Sequence, residues 1–133
     1  MKTIPQILSD TRTIAIVGLS ANPSRASHDV ARCLMPHYKI IPINPRYEEV
    51  LGLKCYPDIA SVPEQIDMLD VFQRSEAVMP LVLPSIEAGI SCFWMQMGIW
   101  HGEAKALLEA KGISVIQDKC TKVEHARLLV SDR

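Results

Sequence analysis

An excess of positive charge is the first thing missing: 14 Lys and Arg stand against 15 Asp and Glu, for a formal net charge of -1. A nucleic-acid-binding footprint needs a basic excess or stripe, and no run of like charge supplies one. Long apolar runs are missing too. None approaches the roughly 20 residues that span a bilayer. The opening Met1-Lys2-Thr3-Ile4-Pro5 lacks the apolar core and small-residue cleavage site of a secretory signal. No membrane segment is expected, and a cytoplasmic location is. Cysteine is sparse: Cys33, Cys55, Cys92 and Cys120 stand far apart, with no C-x-x-C and no Cys/His ligand cluster. That spacing excludes a zinc knuckle, so no metal site is expected, and it leaves reduced, mostly buried thiols.

What is present is an alternation. Nearly half of the 133 residues are apolar, enough for one domain over residues 1–133 with a proper core. Ile4, Ile7 and Leu8 recur at helical spacing and predict a leading helix over Thr3 to Thr11. Thr13 to Val17 is short, continuously apolar and β-branched, the pattern of a buried central strand. Gly18 turns the backbone sharply and Leu19 to Ala26 reads as a loop, with Ser27 as the expected N-cap of a helix that Pro36 ends. Tyr38 to Ile43 is a second strand, and Pro42 within it places it near a sheet edge. Val50 to Tyr56 reads as an irregular insert around Gly52, followed by a loop to Pro63. Ile66 to Phe72 is a third strand. Ser75 is expected to cap a helix that Pro80 and Pro84 break and Gly89 stops. Ile90 to Met95, a helix over Glu103 to Ala110, Ile113 to Gln117 and a final helix over Lys122 to Val130 complete the series. The last helix is expected to face the core with Val123, Ala126, Leu129 and Val130. The fold class that follows is α/β: a Rossmann-like, doubly wound parallel sheet of about five strands in a single domain.

In such sheets ligands lie outside the carboxyl ends of the strands. The first exit is a strand, a small-residue loop and a helix start, the arrangement of a phosphate cradle. The dinucleotide fingerprint G-x-G-x-x-G is nevertheless absent: Gly18-Leu19-Ser20-Ala21-Asn22-Pro23 keeps only its first glycine. The second strand ends in Asn44-Pro45-Arg46, with a cation where NAD binders carry an acid, which disfavours NAD and allows a phosphorylated ribose. No P-loop motif occurs.

These residues carry a resemblance. Val17-Gly18-Leu19-Ser20 with Pro23, Arg25 and Ser27, then Ile41-Pro42-Ile43-Asn44-Pro45, then Asp70-Val71-Phe72 with Arg74, then Trp94-Met95-Gln96-Met97-Gly98 resemble the small stand-alone CoA-binding-domain proteins. That family is related to the N-terminal CoA-binding domain of the succinyl-CoA synthetase α subunit. The resemblance implies coenzyme A as the cofactor. It implies a pyrophosphate cradle of Gly18, Ser20, Arg25 and Ser27, with Asn22 also among the cofactor-binding residues. Asn44, Pro45 and Arg46 would bound the adenosine end, Phe72 and Arg74 would flank the nucleotide, and Gln96 and Gly98 would border the pantetheine path. Gln73 departs from the basic residue expected beside Arg74.

Plainer roles stand beside these. Gly18 serves any tight turn, Trp94 and Trp100 suit core and rim packing, and Asp70 can brace loop N–H groups. His101 is not a phosphorylated histidine, since in succinyl-CoA synthetase that residue lies in a second domain. No nucleophile, base and orienting group form a recognisable set, so no catalytic residue is assigned. The expected function is a non-catalytic module that binds CoA or an acyl-CoA as its small-molecule ligand. The alternative is an NADP-linked oxidoreductase or CoA-dependent transferase completed by a partner subunit.

Overall fold

The computed structural model describes residues 2–131. Its order is α1 (Ile4–Asp10), β1 (Thr13–Val17), α2 (Ala26–Leu34), β2 (Lys39–Ile43), β3 (Glu49–Val50), β4 (Leu53–Lys54), β5 (Met68–Val71), α3 (Val82–Glu87), β6 (Cys92–Met95), α4 (Gly102–Glu109), β7 (Ser114–Ile116) and α5 (Thr121–Ser131). Two 3-10 turns, Ser75–Ala77 and Met79–Leu81, precede α3. They are what remains of the helix that Pro80 and Pro84 break.

Five strands pair in the order β2-β1-β5-β6-β7, all parallel. The chain runs from β1 outward to β2, then returns past β1 to β5. The switch point therefore lies between β1 and β5. Side chains alternate along each strand and sort into two cores. Ile14, Ile16, Ile40, Met68 and Trp94 pack with Ile7 and Leu8 of α1 and Val30, Ala31 and Leu34 of α2. Ala15, Val17, Leu69, Val71, Phe93 and Met95 pack with Val82 of α3 and Ala104 and Leu108 of α4. Helices thus cover both faces, as a buried parallel sheet requires.

Local chemistry explains the element ends. Thr3 and Gln6 form a reciprocal capping box at the start of α1. β2 is an edge strand, where the missing N–H of Pro42 leaves no gap in the ladder. The Pro42 carbonyl accepts from the Tyr56 N–H at 3.0 Å.

Four expectations are corrected. Residues 49–54 form a two-residue hairpin, not an irregular insert: Leu51 and Gly52 both take positive φ, 55° and 74°, as a type I′ turn demands. Arg25, not Ser27, occupies the N-cap of α2, and Ser27 lies inside the first turn with its hydroxyl turned to the preceding loop. Ser75 caps nothing; its hydroxyl accepts from the Trp100 N–H. Finally, α5 is rotated from the expected face. Thr121 and His125 are buried, while Val123, Leu129 and Val130 are exposed. The polar pair goes inward because each finds partners there: Thr121 bonds Asp70, and His125 stacks against His37 and Tyr38. Burial and the neighbouring His37 hold His125 below the usual histidine range.

Candidate functional site

The exits of β2, β1 and β5 lie side by side, and the β1 exit is fixed from all directions. Gly18 leaves β1 at φ 85°, and its N–H donates to the Ile43 carbonyl at 2.9 Å. A Cβ here would collide with the Phe72 carbonyl oxygen. Only glycine lets the first and third exits approach this closely.

The loop after Gly18 is a closed set of short bonds. The Ser20 N–H donates to Ser27 Oγ at 3.0 Å, its hydroxyl accepts from the Asn22 N–H at 3.0 Å, and its carbonyl meets His28 Nδ1 at 2.9 Å. Asn22 Oδ1 accepts from the Ser24 N–H and hydroxyl. The Asn44 amide ties in the second exit, donating to the Leu19 carbonyl at 3.1 Å and accepting from the Arg46 N–H at 3.0 Å. Loops 18–27 and 44–46 are thereby one unit. Among the described residues, the Ala26 and Ser27 N–H groups at the start of α2 have no backbone acceptor.

Around this unit stand three arginines. Arg25, Arg46 and Arg74 are exposed, on the exits of three adjacent strands, and among the described residues none has a carboxylate within ion-pair distance. Arg32, Arg127, Lys2, Lys39, Lys105 and Lys122 are paired, while among the described residues Arg12, Lys54, Lys111 and Lys119 have no ion pair either; what sets Arg25, Arg46 and Arg74 apart is their place on adjacent strand exits. Pro45 is exposed between Asn44 and Arg46, and Phe72 is half-buried, packed against the α2 side of the core.

The structure therefore brings together Gly18, Ser20, Asn22, Arg25, Ser27, Asn44, Pro45, Arg46, Phe72 and Arg74. Gln96 and Gly98 are placed differently. Gln96 is 4% exposed, and its amide donates to Asp70 Oδ1 at 2.6 Å and to Thr121 Oγ1 at 2.7 Å. Thr121 in turn donates to Asp70 Oδ2 at 2.8 Å. Asp70, Gln96 and Thr121 join the ends of β5 and β6 to the start of α5 beneath the surface. Asp70 is fully buried, and desolvation pushes its carboxyl up to about 7 against the opposing pull of those two hydrogen bonds. Gly98 is exposed at φ 85°, with its N–H on Asp118 Oδ1 at 2.7 Å.

Sequence reasoning missed two contributors. His28 in the first turn of α2 has no sequence pattern that marks a role, yet it is half-buried and holds the Ser20 carbonyl. Since a carbonyl only accepts, Nδ1 carries the proton in the neutral ring and Nε2 is left for another partner. The Asp70 network was missed as a network; the carboxylate in mid-strand was its only local sign. Cys120, half-buried at the start of α5, and His101, whose Nδ1 accepts from the Ala104 N–H as the cap of α4, have ordinary structural roles. Among the described residues no group of His, Cys, Asp and Glu could hold a metal ion.

A family profile described as a CoA binding domain matches residues 12–126. The chain belongs to the CoA-binding domain family. It is 40% identical over 124 residues to the uncharacterized protein YneT of Bacillus subtilis, covering 92% of each chain. Its fold matches a hypothetical protein from Pyrococcus horikoshii OT3 with a TM-score of 0.91 at 36% identity, over 95% of this chain and 89% of that one. It is also 35% identical over 77 residues to an ADP-forming acetate–CoA ligase of Methanocaldococcus jannaschii. That match takes in 57% of this chain and only 11% of the ligase. No described helix is long and apolar enough to cross a membrane.

Proposed function

We propose that this protein is a cytoplasmic, non-catalytic module that binds coenzyme A or an acyl-CoA at the exits of β2, β1 and β5. The observation that carries the reading is the trio of unpaired arginines around one cradle. CoA bears a pyrophosphate and a separate ribose phosphate, and a cation on each of three neighbouring exits matches that spread of charge. In this reading Arg25 and the free N–H groups of α2 meet the pyrophosphate. Arg46, fixed through Asn44, meets the ribose phosphate. Phe72 and Arg74 flank the nucleotide. Membership of the CoA-binding domain family supports the choice of ligand.

Asp70 and Gln96 are positioning residues here, holding the β6 exit at a set height rather than touching the ligand. Among the described residues no nucleophile stands beside a base at the cradle. The test is calorimetric titration with CoA, dephospho-CoA and NADPH. CoA is expected to bind, dephospho-CoA about tenfold or more weakly for loss of one charge-assisted contact, and NADPH more weakly still. Failure of CoA to bind overturns the reading, and tighter binding of NADPH replaces it with the reductase alternative.

A further inference from the structure

Two large apolar side chains stand on the loop that leaves β6. Met97 is 68% exposed and Trp100 is 56% exposed. The other exposed large hydrophobics, Leu83, Leu107, Val123, Leu129 and Val130, belong to helices. Isolated apolar side chains on a surface are ordinary; two of them on a rigid loop beside an anion site are less so.

Rigidity is the second observation. Each N–H from Gly98 to His101 has an acceptor: Asp118 Oδ1 for Gly98, the Gln96 carbonyl for Ile99, Ser75 Oγ for Trp100 and Gln117 Oε1 for His101. Gln96 anchors the loop from below through Asp70 and Thr121. Ile99 packs into the α3–α4 core. The loop is thus braced against the ends of β5 and β7 at once, and it holds Met97 and Trp100 up without needing to reorganise. An apolar surface that is already ordered adds affinity without further loss of chain entropy.

The third observation is position. Ser75, which accepts the Trp100 N–H, directly follows Arg74 of the cradle. Adjacent strands lie about 4.8 Å apart, so the β6 exit is about 10 Å from the β1 exit. The pantetheine arm of CoA is longer than that gap, so a ligand whose pyrophosphate sits at β1 has the reach to set its sulfur at the β6 loop.

Building on the CoA reading above, we propose that Met97 and Trp100 form an apolar shelf for the acyl chain of the ligand. The preferred ligand is then an acyl-CoA with a chain of several carbons, not free CoA or acetyl-CoA. The shelf is open to solvent, so it accepts chains of various lengths without a sharp cutoff.

The experiment is calorimetry with CoA, acetyl-CoA, hexanoyl-CoA and octanoyl-CoA on the wild-type protein, W100S, the M97S/W100S double variant and L129S. Both loop residues are on the surface, and thermal melts check that the variants fold. Wild type and L129S are expected to bind octanoyl-CoA roughly tenfold or more tightly than acetyl-CoA, as partial burial of the added methylenes requires. The double variant should bind all four ligands alike. Tryptophan emission gives a second reading, because Trp94 is fully buried and Trp100 is not. Octanoyl-CoA should shift the emission to the blue, and CoA should not. If CoA binds and chain length makes no difference, the shelf is overturned while the CoA reading stands. A chain-length gain that survives in the double variant also overturns it. If none of the ligands binds, the CoA reading fails and the shelf falls with it.

Discussion

The Cα of Gly18 faces the carbonyl of Phe72 so closely that no side chain fits between them. This contact sets how near the first and third strand exits stand, and hence the width of the cradle. Gly18→Ala meets both this collision and a φ of 85°. It should destabilise the protein by about 2–4 kcal/mol, as a strained backbone plus a displaced one would. Gly98 has a φ of 85° but nothing within 4 Å of a built Cβ, so Gly98→Ala should lose only about 1 kcal/mol. Urea unfolding of the two variants side by side checks the difference; equal losses would show that the Phe72 contact relaxes freely.

Among the described residues Arg25 makes no side-chain hydrogen bond or ion pair, and it is exposed. Arg25→Ala should therefore leave the melting temperature where it is and weaken CoA binding by about 1.5–3 kcal/mol, the range for a charge-assisted hydrogen bond. Calorimetry beside a thermal melt separates the two effects. A fall in stability without a change in affinity would give Arg25 a structural role instead.

Asn44 both donates and accepts, to Leu19 and from Arg46. Asn44→Asp keeps the acceptor and sets a carboxylate against the Leu19 carbonyl. The expected loss is about 1–3 kcal/mol of stability, for one hydrogen bond replaced by repulsion at a half-buried site. Denaturant unfolding measures it, and an unchanged midpoint would show that the two loops are not coupled through this amide.

Asp70 gives a pH dependence whose sign can be worked out. Its carboxyl is raised from 3.8 to about 7 on folding. Stability from this group is therefore full below about pH 4 and is lost as pH rises toward 7. Asp70→Asn does not titrate, so its stability relative to wild type should climb across that window by on the order of 3–4 kcal/mol. The lowered His125 acts on the acid side, but it is common to both proteins and cancels in the difference. Unfolding free energies from pH 4.5 to 8.5 test this; a flat difference would mean that Asp70 stays ionised throughout.

Much of the fold was legible because its signals are local. Thr13 to Val17 and the four later apolar runs fall on the five parallel strands, and Pro42 correctly marked an edge. The ends of strands were drawn one or two residues too long, since an apolar residue just outside a ladder looks like one inside it. The face of α5 was misread for a physical reason. Val123, Ala126, Leu129 and Val130 have the right period, but periodicity cannot say that Thr121 and His125 would find partners 51 and many more residues away in sequence and turn inward. The same long range hid the fate of Gln96, whose partner Asp70 is 26 residues away. The arrangement of the first exit was readable, because a strand, a small-residue loop and a helix start are neighbours in the chain. Its bracing by His28 was not, because a histidine in a first turn has no distinguishing pattern.

The outer edge of β2 has one further consequence. Pro42 offers no N–H, its carbonyl is taken by Tyr56, and Ile43 bridges to Tyr56 beyond it. The carboxyl half of that edge is closed to strand addition, which removes a common route to edge-to-edge aggregation. Any protein that meets this flank has to recognise side chains, because the backbone there has no free ladder to extend.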